Sequence, residues 1–277
     1  MNTFKLEYLT QTERSIITNE SNLSVCLKPG GFIFAIIDKN ISLKAIGEFS
    51  VNLSGSIPQI MTNVKTCFSS IGIHIFNFYK IKIICPTEKS TWIPVKLYDN
   101  SKDKEYLQTT NTVLSSDTVI SNVCTKTDAV NIFAFPLHKY SGLKIIMPKA
   151  SYISPSQVIT EYAFDISSMN SDTVVLNKRE DICDIAIFKG NTFTLSNSFK
   201  YKNPEDFIYF ILYTLQQLNI DTSLVNMAIT GDAYSNEELH LLQRYIKHVA
   251  YANCTENVSI SEEFNSIDMQ QYFLLLA

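Results

Sequence analysis

The chain has 277 residues, of which 45% are hydrophobic and 18% charged, and carries a net charge of −4. That length and composition fit a globular protein with one or two cores and exclude a disordered chain. The acidic balance, with no run of lysine and arginine, excludes the clustered basic surface that nucleic acid or an anionic membrane requires.

Residues 1–10 alternate polar and apolar side chains and hold no apolar stretch resembling a signal peptide. From Leu23 the pattern predicts three short strands, over 23–27, 32–37 and 41–51. Their turns, Lys28-Pro29-Gly30-Gly31 and Asp38-Lys39-Asn40, are made of turn-forming residues. A helix follows, with Pro58 in its first turn and Ile57, Ile60, Met61, Val64 and Phe68 at helical spacing. A strand over 80–85 is ended by Pro86, and 99–104 reads as a charged loop. Residues 119–124 and 129–135 read as an inserted hairpin around 125–128. A helix from Pro136, a strand near 150–153 and a helix capped by Ser154 complete the first half. In that last helix Pro155 comes first and Gln157 closes a capping box.

The second half opens in the same way, with strands over 173–176, 182–188 and 192–199. The next helix has Asn203 as its cap, Pro204 first, and Glu205 and Asp206 on the positive end of its dipole. Phe207, Ile211, Thr214 or Leu215, and Leu218 form its buried stripe. A strand over 224–230 leads to a second capping box, Ser235 with Glu238. The stripe of that helix is Leu239, Leu242, Ile246 and Val249, and 257–260 is a last strand.

The two halves repeat each other. Phe34-Ala35-Ile36-Ile37-Asp38-Lys39-Asn40 overlies Asp184-Ile185-Ala186-Ile187-Phe188-Lys189-Gly190, and the same offset of 150 carries Phe49 onto Phe199. The expected units are 1–170, with the hairpin insertion near 119–135, and 171–277.

A duplicated β-β-β-α-β-α unit resembles the construction of the actin-like ATPase superfamily, which includes actin, sugar kinases, the large heat-shock chaperones and pilus-assembly proteins. The segments running from 23–25 to 34–36 and from 184–190 to 199–207 are similar to a bacterial family of unknown function. That family is described as having an actin-like ATPase, or duplicated ribonuclease-H-like, fold. The resemblance covers residues from about 20 to the end. It implies an α/β protein of two tandem actin-like ATPase subdomains, each a β-β-β-α-β-α unit with a mixed sheet. It also implies a ligand cleft between them.

Superfamily chemistry uses glycine-rich hairpins whose backbone N–H groups wrap phosphates, with an aspartate at each to organise magnesium and water. The segment matching the second hairpin keeps Asp184, but Asn177 stands in place of the aspartate. Arg179, Glu180 and Asp181 replace the glycines. Two carboxylates beside a triphosphate repel it by several kcal/mol, at ~332/(εr) with ε of about 20. The first hairpin keeps Gly30 and Gly31 without an aspartate, and its simplest reading is a β-turn. The adenosine-side segment Thr230-Gly231-Asp232-Ala233 keeps one glycine of two. The candidate cleft residues are therefore Lys28, Gly30, Gly31, Asn177, Asp184, Gly231 and Asp232. Arg179, Glu180 and Asp181 are expected on a solvated hairpin tip facing the cleft.

Other chemistry lacks an anchor. The six cysteines stand singly, most between apolar neighbours, and read as free core thiols. His240 and His248 share one predicted helix two turns apart, and no His-Glu-x-x-His, Gly-x-Ser-x-Gly or phosphate-binding Gly-Lys-Ser segment occurs. No catalytic residue, metal or cofactor is expected. The expected protein is a cytoplasmic, non-catalytic binding or scaffold protein with a protein partner and neither nucleic acid nor membrane. The alternative is an ATPase or kinase with diverged phosphate loops, which would bind Mg-ATP.

Overall fold

The structure is a computed structural model that describes residues 4–12 and 18–277. Four strands open it: β1 (Phe4–Gln11), β2 (Ser21–Lys28), β3 (Gly31–Asp38) and β4 (Leu43–Val51). Helix α1 (Ile57–Ser70) and strand β5 (Lys80–Ile84) follow. An insertion then contributes β6 (Ser90–Pro94), the short helix α2 (Asp103–Gln108), β7 (Asp117–Cys124) and β8 (Ala129–Pro136). Helix α3 (Leu137–Ile146), strand β9 (Ser151–Ile153) and helix α4 (Pro155–Ile166) end the first half. The second half runs β10 (Thr173–Arg179), β11 (Ile182–Lys189), β12 (Thr192–Lys200), α5 (Pro204–Gln217), β13 (Asn226–Gly231), α6 (Asn236–Tyr245), β14 (His248–Tyr251) and α7 (Phe273–Leu276).

These strands form two equivalent mixed sheets. The first has the order β1-β4-β3-β2-β5-β9 and the second β12-β11-β10-β13-β14. In each, an antiparallel meander is extended by two parallel strands beyond its first strand. The insertion forms a separate sheet, β6-β8-β7. The chain is thus an α/β protein with the duplicated unit that the sequence implies.

Strand pairing corrects the offset of the repeat. Lys28 pairs with Gly31 and Arg179 with Ile182, so the first hairpins superpose at an offset of 151, placing Phe34 on Ile185. Phe49 still meets Phe199, because their partners are Phe32 and Cys183. A one-residue slip in a strand exchanges its faces. At an offset of 150 the core ring of Phe34 would coincide with the carboxylate of Asp184.

Several local expectations also change. Residues 4–11 form β1, an edge strand on β4 with a bulge between Leu6 and Tyr8. Part of the charged 99–104 segment enters α2, whose Leu107 is buried under the insertion sheet. Ser154 caps α4 by accepting the Gln157 N–H at 3.1 Å, but the Gln157 amide bonds Glu161, so the box is not reciprocal. Helix α6 stops at Tyr245. Beyond it Val249 lies in β14, parallel to β13, where β-branched side chains fit. The expected strand at 257–260 is reduced to one bridge between Ser42 and Ser259.

Each sheet covers its outer face with its own helices. Phe32, Phe34, Phe49 and Phe68 meet over the first sheet with ring centroids 5.3–6.3 Å apart. The inner faces share a third core. It joins Ile33, Ala35 and Ile46 of the first sheet to Val175, Ala186 and Phe188 of the second. Helix α4, built by the first half, lies against β10, β11 and β12, while α7, built by the second, returns onto β2 and β3. Tyr162 of α4 meets Phe273 of α7 edge-on at 4.9 Å. The six cysteines are buried and free, as core thiols should be.

Close backbone approach explains Gly31. A Cβ there would collide with the carbonyl oxygen of Phe49 on the neighbouring strand. The aromatic cluster supplies a direct check of the core. Phe68→Ala should lower unfolding free energy in urea by about 3–5 kcal/mol, the usual loss for a large buried ring. A loss under about 1 kcal/mol would show that the cluster does not hold α1 to the first sheet.

Candidate functional site

The β10–β11 hairpin projects toward the first sheet, and its polar groups are committed to one another. Asp184 is fully buried. Its Oδ2 accepts from Asn177 Nδ2 at 2.9 Å and Arg179 Nε at 2.6 Å; its Oδ1 accepts from Arg179 Nη2 at 2.6 Å and Ser198 Oγ at 2.6 Å. Four donors on one carboxylate offset much of its desolvation. Burial alone would lower the Arg179 pKa, but the Asp184 carboxylate overrides it and holds the guanidinium above its ordinary value. The same guanidinium reaches across to the Thr87 carbonyl oxygen of the first half at 3.3 Å.

Arg179 therefore does not sit on a solvated tip. Only Glu180 and Asp181 are exposed, because Arg179 turns back along the strand to the one buried carboxylate within reach. Glu180 takes a left-handed φ of 48°, and its backbone N–H donates to Asp232 Oδ2 at 2.7 Å. The Asp232 N–H donates to the Lys178 carbonyl oxygen at 2.9 Å. Lys178 Nζ donates to Glu238 Oε2 at 2.6 Å and to the Ala233 carbonyl oxygen at 2.9 Å. Burial would raise the Glu238 pKa, but Lys178 and the Ser235 N–H that completes the predicted capping box hold it below the usual carboxylate range.

Between the sheets lies a cavity of about 420 Å³. Of the residues singled out from sequence, Lys28, Asn177, Gly231 and Asp232 line it, whereas Gly30, Gly31 and Asp184 do not. Gly30 and Gly31 shape the β2–β3 turn, where the Gly30 carbonyl accepts the Val51 N–H at 2.8 Å. Gly231, at φ 94°, is required because a Cβ would collide with the Lys178 carbonyl oxygen. Lys28 is paired with Glu48 at 3.0 Å.

Sequence reasoning left out much of the lining, including Thr87, Glu88, Lys139, Gln270 and Gln271. Lys139 occupies the first turn of α3, where a cation opposes the helix dipole. That mismatch was the available signal. Gln270 stands in a stretch without periodicity and gave none. Among the described residues, no group of three or more His, Cys, Asp or Glu side chains could hold a metal ion. Among the described residues, no helix is long and apolar enough to cross a membrane.

Comparison with known proteins agrees with this fold. A family model described as protein of unknown function (DUF3822) matches residues 10–249. No curated protein matches the chain in sequence. Among solved structures, a Bacteroides thetaiotaomicron protein with an actin-like ATPase fold and unknown function is 25% identical. The match covers 92% of this chain and 96% of that one, with a TM-score of 0.75. The PilM–PilN type IV pilus biogenesis complex contains a chain 9% identical, covering 92% and 96%, with a TM-score of 0.62. The ethanolamine utilization protein EutJ from Carboxydothermus hydrogenoformans is 10% identical, covering 93% and 90%, with a TM-score of 0.50. The last two likenesses show the fold alone.

The Arg179–Asp184 pair makes a quantitative expectation. Arg179→Met leaves a fully buried carboxylate without its charge partner and should cost about 3–5 kcal/mol in urea unfolding. Adding Asp184→Leu removes the stranded charge and should recover most of that loss. A double variant as unstable as the single one would mean that Arg179 stabilises by packing, not by matching charge.

Proposed function

The chain belongs to the family described as protein of unknown function (DUF3822), and from that premise we propose a non-catalytic binding protein on an actin-like fold that works through a protein partner. One observation carries the reading. The hairpin that would have to cradle a nucleotide phosphate is satisfied from within the chain. Asp232 occupies the Glu180 N–H, Arg179 is spent on Asp184, and Lys178 is spent on Glu238. A triphosphate would have to displace a carboxylate from a backbone donor and pull a guanidinium from a buried partner. Breaking the buried Arg179–Asp184 pair costs about 3–5 kcal/mol before any contact is gained, and freeing the exposed Glu180 N–H adds a smaller amount. Asn177 supplies an amide where magnesium chemistry favours a carboxylate oxygen. PilM, a fold relative seen in complex with PilN, supports the protein-partner half of the reading.

Thermal unfolding with Mg-ATP tests it. A native-state site with ligand at a hundred times Kd gains about 2.7 kcal/mol, or roughly 5–10 °C in Tm for a chain of this size. Mg-ATP at about 1 mM reaches that ratio for a Kd of about 10 μM or tighter. The expected shift is within about 1 °C, and a magnesium-dependent shift of 5 °C or more would establish a working nucleotide site instead.

A further inference from the structure

An edge strand exposes unpaired backbone groups, and folded proteins blunt such edges with charge, proline or short length. Three of the four edges of the two large sheets do so. Strand β1 carries Lys5 and Glu7, and β9 and β14 have three and four residues. Strand β12 is the exception, with nine residues of which only the last, Lys200, is charged. A cavity of about 720 Å³ lies between it and β6, an edge of the insertion sheet. Its lining takes the six consecutive β12 residues 193–198, and residues 90–92 and 94 of β6. Side chains alternate across a strand, so a cavity over a sheet face meets every second residue. One lined by consecutive residues runs along the edge.

Register identifies the backbone groups at that edge. The Tyr201 N–H donates to the Asp181 carbonyl oxygen at 3.0 Å, and bonded and non-bonded pairs alternate along an antiparallel ladder. Phe199 and Asn197 therefore direct their backbone groups to β11, while Ser198 and Ser196 direct theirs outward. The register shift in this pair comes only beyond them, between Ile187 and Phe188 of β11. Asn197 Oδ1 takes the Ser198 N–H at 2.9 Å. That leaves the Ser196 N–H and the Ser196 and Ser198 carbonyl oxygens without a partner among the described residues, on a segment that is half-buried rather than enclosed. On the facing wall, the Ala134 N–H bonded to the Lys89 carbonyl oxygen at 3.0 Å turns the Trp92 backbone groups away from β8 by the same alternation. Trp92 Nε1 donates to Ser156 Oγ at 2.9 Å, Ser156 Oγ lies 2.8 Å from Ser196 Oγ, and the Trp92 ring meets Phe193 edge-on at 5.0 Å. These contacts fix β12 against the insertion. The charged side chains of the lining are Glu88, paired with Lys200 at 3.0 Å, and Asp128 in the β7–β8 turn.

From this open edge we propose that the groove receives an extended segment of the protein partner, which adds a strand to β12 by pairing with Ser196 and Ser198. In such strand addition main-chain hydrogen bonds supply affinity and side-chain pockets supply specificity. Six residues at ~3.3 Å each run for about 20 Å, the length of an ordinary strand. Both charges in the lining are carboxylates, so the groove favours uncharged or basic side chains over acidic ones. The inference rests on the partner-binding reading and adds the place and the form of the contact.

The test selects a phage-displayed random heptapeptide library on the full chain and titrates the enriched peptides as synthetic probes with blocked termini. Enriched peptides should be poor in Asp and Glu. They should bind the parent and Ser196→Ala alike, and bind Ser196→Pro about tenfold or more weakly, because one main-chain donor is lost. Proline is tolerated on an edge strand where its missing N–H faces away from the ladder, so Ser196→Pro should melt within about 2 °C of Ser196→Ala. If that variant unfolds, hydrogen exchange in the parent decides instead, and bound peptide should slow the Ser196 amide by about tenfold or more. Peptides that bind Ser196→Pro as tightly as the parent, or leave Ser196 exchange unchanged, would overturn this site and leave the partner-binding reading standing. A selection that enriches nothing would overturn it as well. So would a dimer of the free chain abolished by Ser196→Pro, which would assign the edge to a second copy. The partner-binding reading fails separately, on a magnesium-dependent ATP shift.

Discussion

The buried carboxylate of Asp184 constrains everything around it. An ionised group at zero exposure must find charge and donors within the fold, and here Arg179, Asn177 and Ser198 supply them. Meeting that demand turns Arg179 back from the hairpin tip and lays its guanidinium against Thr87 of the first half. With Arg179 so placed, Glu180 and Asp232 close the tip onto the end of β13. The hairpin becomes a strut between the two sheets rather than an open cradle.

Internal duplication sharpens the point. At the structural offset, Asn177 and Asp184 correspond to Cys26 and Ile33 in the first half. The first copy meets the cleft with apolar side chains, and burial pushes the Cys26 thiol up to about 12, so it stays neutral. The second copy meets it with a self-neutralised polar network.

Much of the fold was legible because its signals are local. Asn203 with Pro204 and Ser235 with Glu238 mark helix starts wherever they occur, and the structure places side-chain caps at both. The alternation in β2 and the apolar run in β3 specify strands that bury one or both faces. Tertiary choices were less legible. The exchange of α4 and α7 between sheets depends on which apolar faces meet, and amphipathic spacing says only that a face is buried. Strand β1 alternates weakly, as an edge strand can, and is recognisable only once β4 offers its free edge. At the cleft, Asn177 and Asp184 stood out by their place in the hairpin. Arg179 read as a surface residue because sequence spacing cannot show a side chain folding back five residues along a hairpin.

The central claim is that the Arg179–Asp184 pair keeps the cleft closed to nucleotide. A crystal structure grown with magnesium and a non-hydrolysable ATP analogue tests it most directly. The account predicts Arg179 still bidentate on Asp184, Asp232 still accepting the Glu180 N–H, and no nucleotide density between the sheets. An analogue bound there, with the guanidinium swung onto its phosphates and Asp184 turned toward a metal ion, would contradict it.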